Sequence, residues 1–484
     1  MSGTRRALLF SFAERYLVTV IGLASNLVIA RLLTPIEIGV YSVSLAVISI
    51  AQVLRDFGVA SYLVQERDLN EEHIRTALGV TLVLGTVLGA LVLMSAPWVA
   101  DFYREPLMRG MLSVCALNFL LLPFSTISLS LLRRQMAFKR LAAVGLIAVT
   151  VGASVSTGLA WDGFGALSLA IGSVATNATT GLAAWLARGP HKLLWPGFSE
   201  WRRVLGFGAR SSVVGVVTSV SMDINDLAAG KLMGFEAVAL LSRAQGLMNL
   251  YHRDIMGAVR NVAFPAYAKA VREQQAMEPL YIAGVTHVTV TAWPFYGFVA
   301  LYGVETLRLL YGSQWDIAAP LVPVFCLAGM LAAGGSLIGN LTIAAGRIDL
   351  LTRIELVFQP LRAAMVVVAA LVWRTPLACA WALALALALQ LPLLYVLKQR
   401  FQPNDWAMLW RNLVRSAAVT VCALALPAIL AGSVGLRRVM PMPNWWFASA
   451  IAACILSWVV ALVLLRHPLA QDPAFGPLLR RLRL

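Results

Sequence analysis

In the first apolar stretch of the chain, Ser11, Arg15, Thr19, Gly22 and Asn26 follow one another at steps of four, four, three and four residues. On an α-helix those steps put all five on one face. The second stretch repeats the arrangement with Ser42, Ser49, Gln52 and Asp56, and with Arg55 alongside. The seventh carries Ser212, Ser219, Asp223 and Asp226, with Arg210 near one end. The eighth carries Ser242, Gln245, Asn249 and His252, flanked by Arg243 and Arg253. Guanidinium stays charged and grips phosphate oxygens through paired donors, so a hollow lined with arginine suits a phosphorylated ligand. The basic residues are mostly arginine: only Lys139, Lys192, Lys231, Lys269 and Lys398 are lysine, a skew that a high-GC coding bias also produces.

The elements that must position these residues are membrane-spanning helices. The chain has 484 residues, of which 60% are hydrophobic and 13% charged, against roughly 25% charged in soluble proteins. A helix needs about 20 mainly apolar residues to cross the hydrocarbon core, and lipid leaves helices as the natural spanning form here. Such stretches fall at 9–30, 38–62, 75–97, 109–131, 141–161, 164–186, 204–226 and 235–258. They continue at 281–303, 318–342, 350–373, 376–397, 412–432 and 444–465. The expectation is an all-α integral membrane protein of about 14 crossings. Lys and Arg are roughly threefold enriched at the termini and in every second connection, which places both termini in the cytoplasm.

An ionised side chain at mid-bilayer costs about 2.5–3.5 kcal/mol on insertion scales and usually faces a wet interior. Arg15, Arg55, Arg210, Arg243 and Arg362 lie inside crossings, so the stripes on stretches one, two, seven and eight read as the walls of a polar, cationic cavity. Each residue also has a plainer role. Arg15 can pair with Glu14 or reach the interface, Arg55-Asp56 can end its helix, and Ser and Thr can bind helix to helix.

Other chemistry is excluded or unsupported. The net charge of +16 sits beside apolar stretches, where topology and anionic headgroups account for it, so nucleic acid is not expected as a partner. Cys115, Cys326, Cys379, Cys422 and Cys454 form no CxxC pair, the histidines form no HExxH pattern, and there is no Walker loop. No metal or cofactor is expected. A membrane enzyme needs catalytic groups gathered at a surface, and the external connections are short and poor in titratable groups.

The natural divisions are a six-helix lobe at 1–187, an interfacial cytoplasmic linker at 188–203, a second six-helix lobe at 204–398, two further helices at 399–465 and a tail at 466–484. Residues 30–37 resemble 230–236 with one residue skipped, and Arg55-Asp56 recurs as Arg253-Asp254. A same-direction repeat of that spacing implies two similarly oriented halves.

Asn26 to Pro35, reading NLVIARLLTP, is followed by Glu37-Ile38-Gly39-Val40-Tyr41, by Asp56-Phe57-Gly58 and, further on, by Leu132 to Arg140, LRRQMAFKR. This order resembles the Wzx-like polysaccharide flippase family within the multidrug/oligosaccharidyl-lipid/polysaccharide exporter superfamily. The resemblance implies two pseudo-symmetric six-helix lobes plus two C-terminal helices, in the bacterial inner membrane. It implies alternating access and transfer of an undecaprenyl-pyrophosphate-linked oligosaccharide for exopolysaccharide, capsule or O-antigen (lipopolysaccharide), without enzymatic chemistry. Arg15, Arg55 and Arg253 match by position the cavity arginines of related flippases. Candidate substrate-binding residues are thus Arg15, Asn26, Arg55, Gln52, Arg210, Arg243, Asn249 and Arg253. Glu14, Asp56 and Asp223 are candidates to couple transport to H+ or Na+. The expected partners are the polyprenyl-pyrophosphate-linked glycan, membrane lipids, a polysaccharide polymerase and glycosyltransferases. A multidrug and toxin extruder of the same superfamily is the alternative, and a membrane polymerase or glycosyltransferase a more distant one.

Overall fold

The computed structural model describes residues 2–56, 59, 63, 66, 69–188, 195–199, 201–433 and 443–471. Within these, side chains are not described at 2–16, 54–56, 203–216, 254, 433 and 471. Helices occur throughout the described residues and strands nowhere. Nine of the described helical segments are long and apolar enough to cross a membrane. The chain forms two compact units, Met1–Ala239 and Leu240–Leu484.

The first unit contains α1 (Ser2–Leu32), α2 (Pro35–Asp56), α3 (Glu71–Tyr103), α4 (Leu107–Arg134), α5 (Phe138–Trp161), α6 (Leu167–Ala187) and α7 (Trp201–Met233). It ends within α8 (Phe235–Asn249). The start of α2 follows from its sequence. Thr34 and Glu37 form a capping box: the Thr34 N–H donates to Glu37 Oε2 at 2.8 Å, and the Glu37 N–H donates to Thr34 Oγ1 at 3.3 Å. Pro35 begins the helix, where its missing N–H costs nothing. Small residues then set how closely helices approach. A Cβ on Gly152 of α5 would lie 1.8 Å from Thr176 Oγ1, and one on Gly172 of α6 would lie 1.7 Å from Ser156 Oγ. Gly85 and Gly89 of α3 likewise make room for Phe119 of α4.

The second unit continues α8 through a π-helical turn, Leu250–Ile255, into α9 (Met256–Arg272). There follow α10 (Met277–Leu301), α11 (Gly303–Tyr311), a 3-10 segment (Ser313–Leu321), α12 (Val322–Gly335) and α13 (Ile338–Ala344). The unit closes with α14 (Ile348–Trp373), α15 (Pro376–Gln399), α16 (Trp406–Ser433), α17 (Asn444–Leu464) and the short α18 (Pro468–Gln471). Helix α10 lies in its core, with Tyr281 and Tyr296 on the helix and Tyr302 just past its end all fully buried. Pro294 lacks the N–H that would bond the Val290 carbonyl four residues back, and Trp458 Nε1 donates to that carbonyl at 2.8 Å. Tyr296 donates to the Met248 carbonyl at 3.1 Å and Tyr302 to that of Pro427 at 2.8 Å. Aromatic bodies with a polar end thus fill the core and satisfy backbone in one step.

Candidate functional site

In the first unit, the polar residues of α2 and α7 meet. Ser49 of α2 donates to Asp223 Oδ2, and Ser219, one turn before Asp223 on α7, donates to the same oxygen at 2.9 Å. Asp226 follows on the adjoining turn and is half-buried. The approach of α2 to the end of α7 and the start of α8 is set by small residues. A Cβ on Gly39 would lie 1.9 Å from the Phe235 carbonyl oxygen, and one on Gly230 would lie 2.7 Å from Val43. Tyr103 of α3 donates to the Leu227 carbonyl at 3.0 Å, and the Lys231 ammonium sits 4.1 Å from the centre of the Phe102 ring. These contacts carry α7 as one helix to Met233, past the charges that crowd the junction of stretches seven and eight. Gly234, at φ +89°, makes the turn into α8.

Gln52 of α2 is half-buried. On α1, Thr19 and Asn26 are exposed, and nothing lies within 4 Å of a Cβ built at Gly22. Ser25, off that stripe, meets Thr157 of α5 at 3.5 Å. The α1 stripe therefore faces away from the helix it packs on. Leu17 and Val20 are exposed as well. The side chains of Glu14, Arg15, Arg55, Asp56 and Arg210 lie outside the described residues.

In the second unit, Arg243 is buried on α8, its guanidinium 5.1 Å from the ring centres of both Tyr311 and Trp315. A planar cation among aromatic faces is held by its π-contacts as well as its charge. Beside it on α11, outside the crossing helices, Arg308 Nε lies 3.2 Å from both carboxylate oxygens of Asp316, and that bond raises its pKa still further. Asn249 is half-buried and Arg253 exposed, the latter on the π-helical turn.

Spacing on an ideal helix missed what that turn does. A π-helical turn bonds i to i+5 and often marks a functional position. Arg260 of α9 reaches back eight residues, and its Nη2 donates to the His252 carbonyl at 2.7 Å. Its Nε is buried with no hydrogen-bond partner among the described residues, as is the Nε of Arg362 on α14. Gln359, one turn before Arg362, donates to Glu355. Arg362 was visible as a charge within a crossing, but nothing in its spacing separated it from the others. Asp223 is thus brought together with Ser49 and Ser219, and Arg243 with Tyr311 and Trp315. No group of three or more His, Cys, Asp or Glu that could hold a metal occurs among the described residues.

Similarity to known proteins assigns this architecture. Residues 28–320 match the family described as "Polysaccharide biosynthesis protein". The chain is 22% identical over 335 residues to the lipopolysaccharide biosynthesis protein WzxC of Escherichia coli (strain K12), covering 68% of each chain. It is 22% identical over 307 residues to the teichuronic acid biosynthesis protein TuaB of Bacillus subtilis (strain 168), covering 62% of each. In fold it is similar to the solved lipid II flippase MurJ in an inward closed conformation. The TM-score is 0.77 at 13% identity, over 95% of this chain and 99% of that one. With helices of membrane-spanning length among the described residues and a family match spanning residues 28–320, this chain belongs to the polysaccharide biosynthesis protein family.

Proposed function

We propose that the chain is a flippase that moves undecaprenyl-pyrophosphate-linked oligosaccharide repeat units from the cytoplasmic to the periplasmic leaflet of the bacterial inner membrane. The units would serve an exopolysaccharide, a capsule or an O-antigen. The observation that carries this reading is the family match over residues 28–320, in a fold similar to that of a lipid II flippase. In this proposal the chain crosses the membrane about 14 times with both termini in the cytoplasm, and it works by alternating access rather than by covalent catalysis. Arg15, Arg55, Arg210 and Arg253 engage the pyrophosphate, while Asn26, Gln52 and Asn249 face the sugars. Arg243, its guanidinium 5.1 Å from the ring centres of both Tyr311 and Trp315, belongs to the same substrate-binding set.

Asp223 is the leading coupling group, with Glu14 and Asp56 as the others, for H+ or Na+. A carboxylate that changes protonation or ion occupancy between the two access states biases them, which is what coupling requires. Glycosyltransferases would act before it and a polymerase after it on the same lipid-linked glycan. The test is a strain lacking the chain, complemented with the wild type or with Arg15→Ala/Arg55→Ala. The wild type should restore surface glycan. The double variant, at normal abundance, should leave lipid-linked units accumulating on the cytoplasmic side. Normal glycan output from the double variant would remove the cationic-cavity mechanism, and drug sensitivity without a glycan defect would replace the substrate class.

A further inference from the structure

The first unit carries a groove of about 420 Å³ bounded by α3, α4 and α6, away from the contact of α2 with α7. Its walls are mainly apolar (Leu78, Leu121, Phe124 and Leu182 among them), the amide of Asn177 being turned to Asn118 Oδ1 at 2.9 Å, and Phe124 and Leu182 are more than half exposed, so it opens sideways. One end is different. Trp185 and then Arg188, at the C-terminal end of α6, complete the lining there.

The helix ends around Arg188 concentrate positive charge. Arg140, at the start of α5, donates to the Ala187 carbonyl at 3.0 Å. Arg75, in the second turn of α3, donates to the Trp195 carbonyl at 3.0 Å. Arg133 and Arg134 close α4 at the same end. The second unit offers a useful contrast. Its apolar groove, of about 480 Å³ along α10 and α17, has no charged residue in its lining. Burial also lowers the pKa of Arg188, as expected of a cation set into the mouth of an apolar slot.

We infer that the groove of the first unit holds one anionic phospholipid of the surrounding leaflet, its acyl chain along α4 and α6 and its phosphate at Arg188. The dimensions agree: Asn177, deepest on α6, is eleven residues from Arg188, about 16 Å along a helix. Apolar walls supply affinity, and the cluster of arginines supplies selection by charge. Tryptophan at the mouth matches the interfacial preference of that ring. None of the residues lining the groove belongs to the proposed cargo-binding set, so failure of this inference would leave the flippase reading untouched.

The experiment uses the full chain, purified from membranes and exchanged into nanodiscs of equal phosphatidylglycerol and phosphatidylcholine, with retained lipid identified by native mass spectrometry after detergent release. The wild type should keep one phosphatidylglycerol. Arg188→Gln should lower the preference for phosphatidylglycerol by about fivefold, the worth of one basic residue near an anionic surface. Gly181→Leu fills the floor of the groove and should abolish retention. Leu182→Trp does so from the exposed side, should the first variant fail to fold. Leu186→Trp, on an exposed position outside the lining, should keep the wild-type lipid. Equal retention of the two lipids by the wild type would overturn the assignment. So would unchanged retention in both Arg188→Gln and Leu182→Trp, or recovery of a polyprenyl phosphate instead of a phospholipid from native membranes.

Discussion

Lys398, fully buried at the end of α15, places its ammonium against the carboxylate of Glu278 in the first turn of α10. The same ammonium donates to Asn404 Oδ1 at 2.7 Å and lies 4.7 Å from the centre of the Tyr281 ring. The other Glu278 oxygen accepts from the Asp405 N–H at 3.1 Å. Helices α10 and α15 and the segment that leads into α16 are thereby fastened at one point of the second unit. Removing one partner of a buried pair strands the other charge, at a cost of about 3–5 kcal/mol. Lys398→Met should therefore lower the thermal midpoint of the purified protein sharply. Lys398→Met/Glu278→Gln should recover a large part of the loss. A double variant no more stable than the single one would show that packing, not the charge, dominates.

His467 gives the second unit a pH dependence. Its ring is fully buried just beyond α17, with Nδ1 accepting from the Leu469 N–H at 3.2 Å and Nε2 facing Ser416 Oγ at 3.1 Å. Burial above all, then the neighbouring His287 of α10 and Arg415 of α16, push its pKa down to about 4. The unfolded chain takes up this proton near 6.5 and the folded one only near 4. Its contribution is therefore complete above pH 6.5 and declines as the pH falls from 6.5 to about 4. His467→Gln, which can still donate to Ser416, should flatten the fall of the thermal midpoint across that window. An unchanged slope would assign the acid sensitivity to other groups.

Gly39 allows α2 to touch the start of α8, since any Cβ there would meet the Phe235 carbonyl oxygen. Backbone cannot swing aside as a flexible side chain can, so Gly39→Ala should cost at least the roughly 1–3 kcal/mol of an overpacked core. The measurement is the midpoint of thermal unfolding in detergent. Gly22→Ala, where a Cβ meets nothing within 4 Å, is the matched control and should change it little.

Ser49 and Ser219 both donate to Asp223. A hydrogen bond to a charged group is worth about 1.5–3 kcal/mol, so Ser49→Ala should weaken the fold by that order. Asp223→Asn keeps the shape and removes the charge. In the proposed cycle it should abolish gradient-dependent flipping in vesicles while leaving the protein folded. Full activity of Asp223→Asn would exclude this carboxylate from coupling.

Nine of the apolar stretches recur among the described residues as helices of membrane-spanning length, legible because crossing a bilayer demands length and hydropathy, which are properties of the sequence alone. Helix α2 was legible too, as Thr34, Pro35 and Glu37 write its start in local chemistry. Residues held by distant partners were not. Lys398 reads as a residue of a solvated connection, and only Glu278, far away in sequence, explains its burial. Arg243 reads as a cavity cation, and its neighbours Tyr311 on α11 and Trp315 on the 3-10 segment lie too far along the chain for its spacing to announce them. The stretch 318–342 reads as one crossing and falls within the membrane-length run Ser313–Ala344, but its 3-10 start and the break at Ser336 and Leu337 between α12 and α13 were not legible.

The wide turn at Leu250–Ile255 has a geometric consequence. Each residue of an ordinary helix advances the azimuth by about 100°, so one surplus residue re-aims everything that follows. Arg243 and Asn249 are indexed by the first half of that long rod, and Arg260 by the second, after the dial has been reset. Deleting a single position there would rotate α9 against α8 without shortening either, and would point Arg260 away from the carbonyl it now covers.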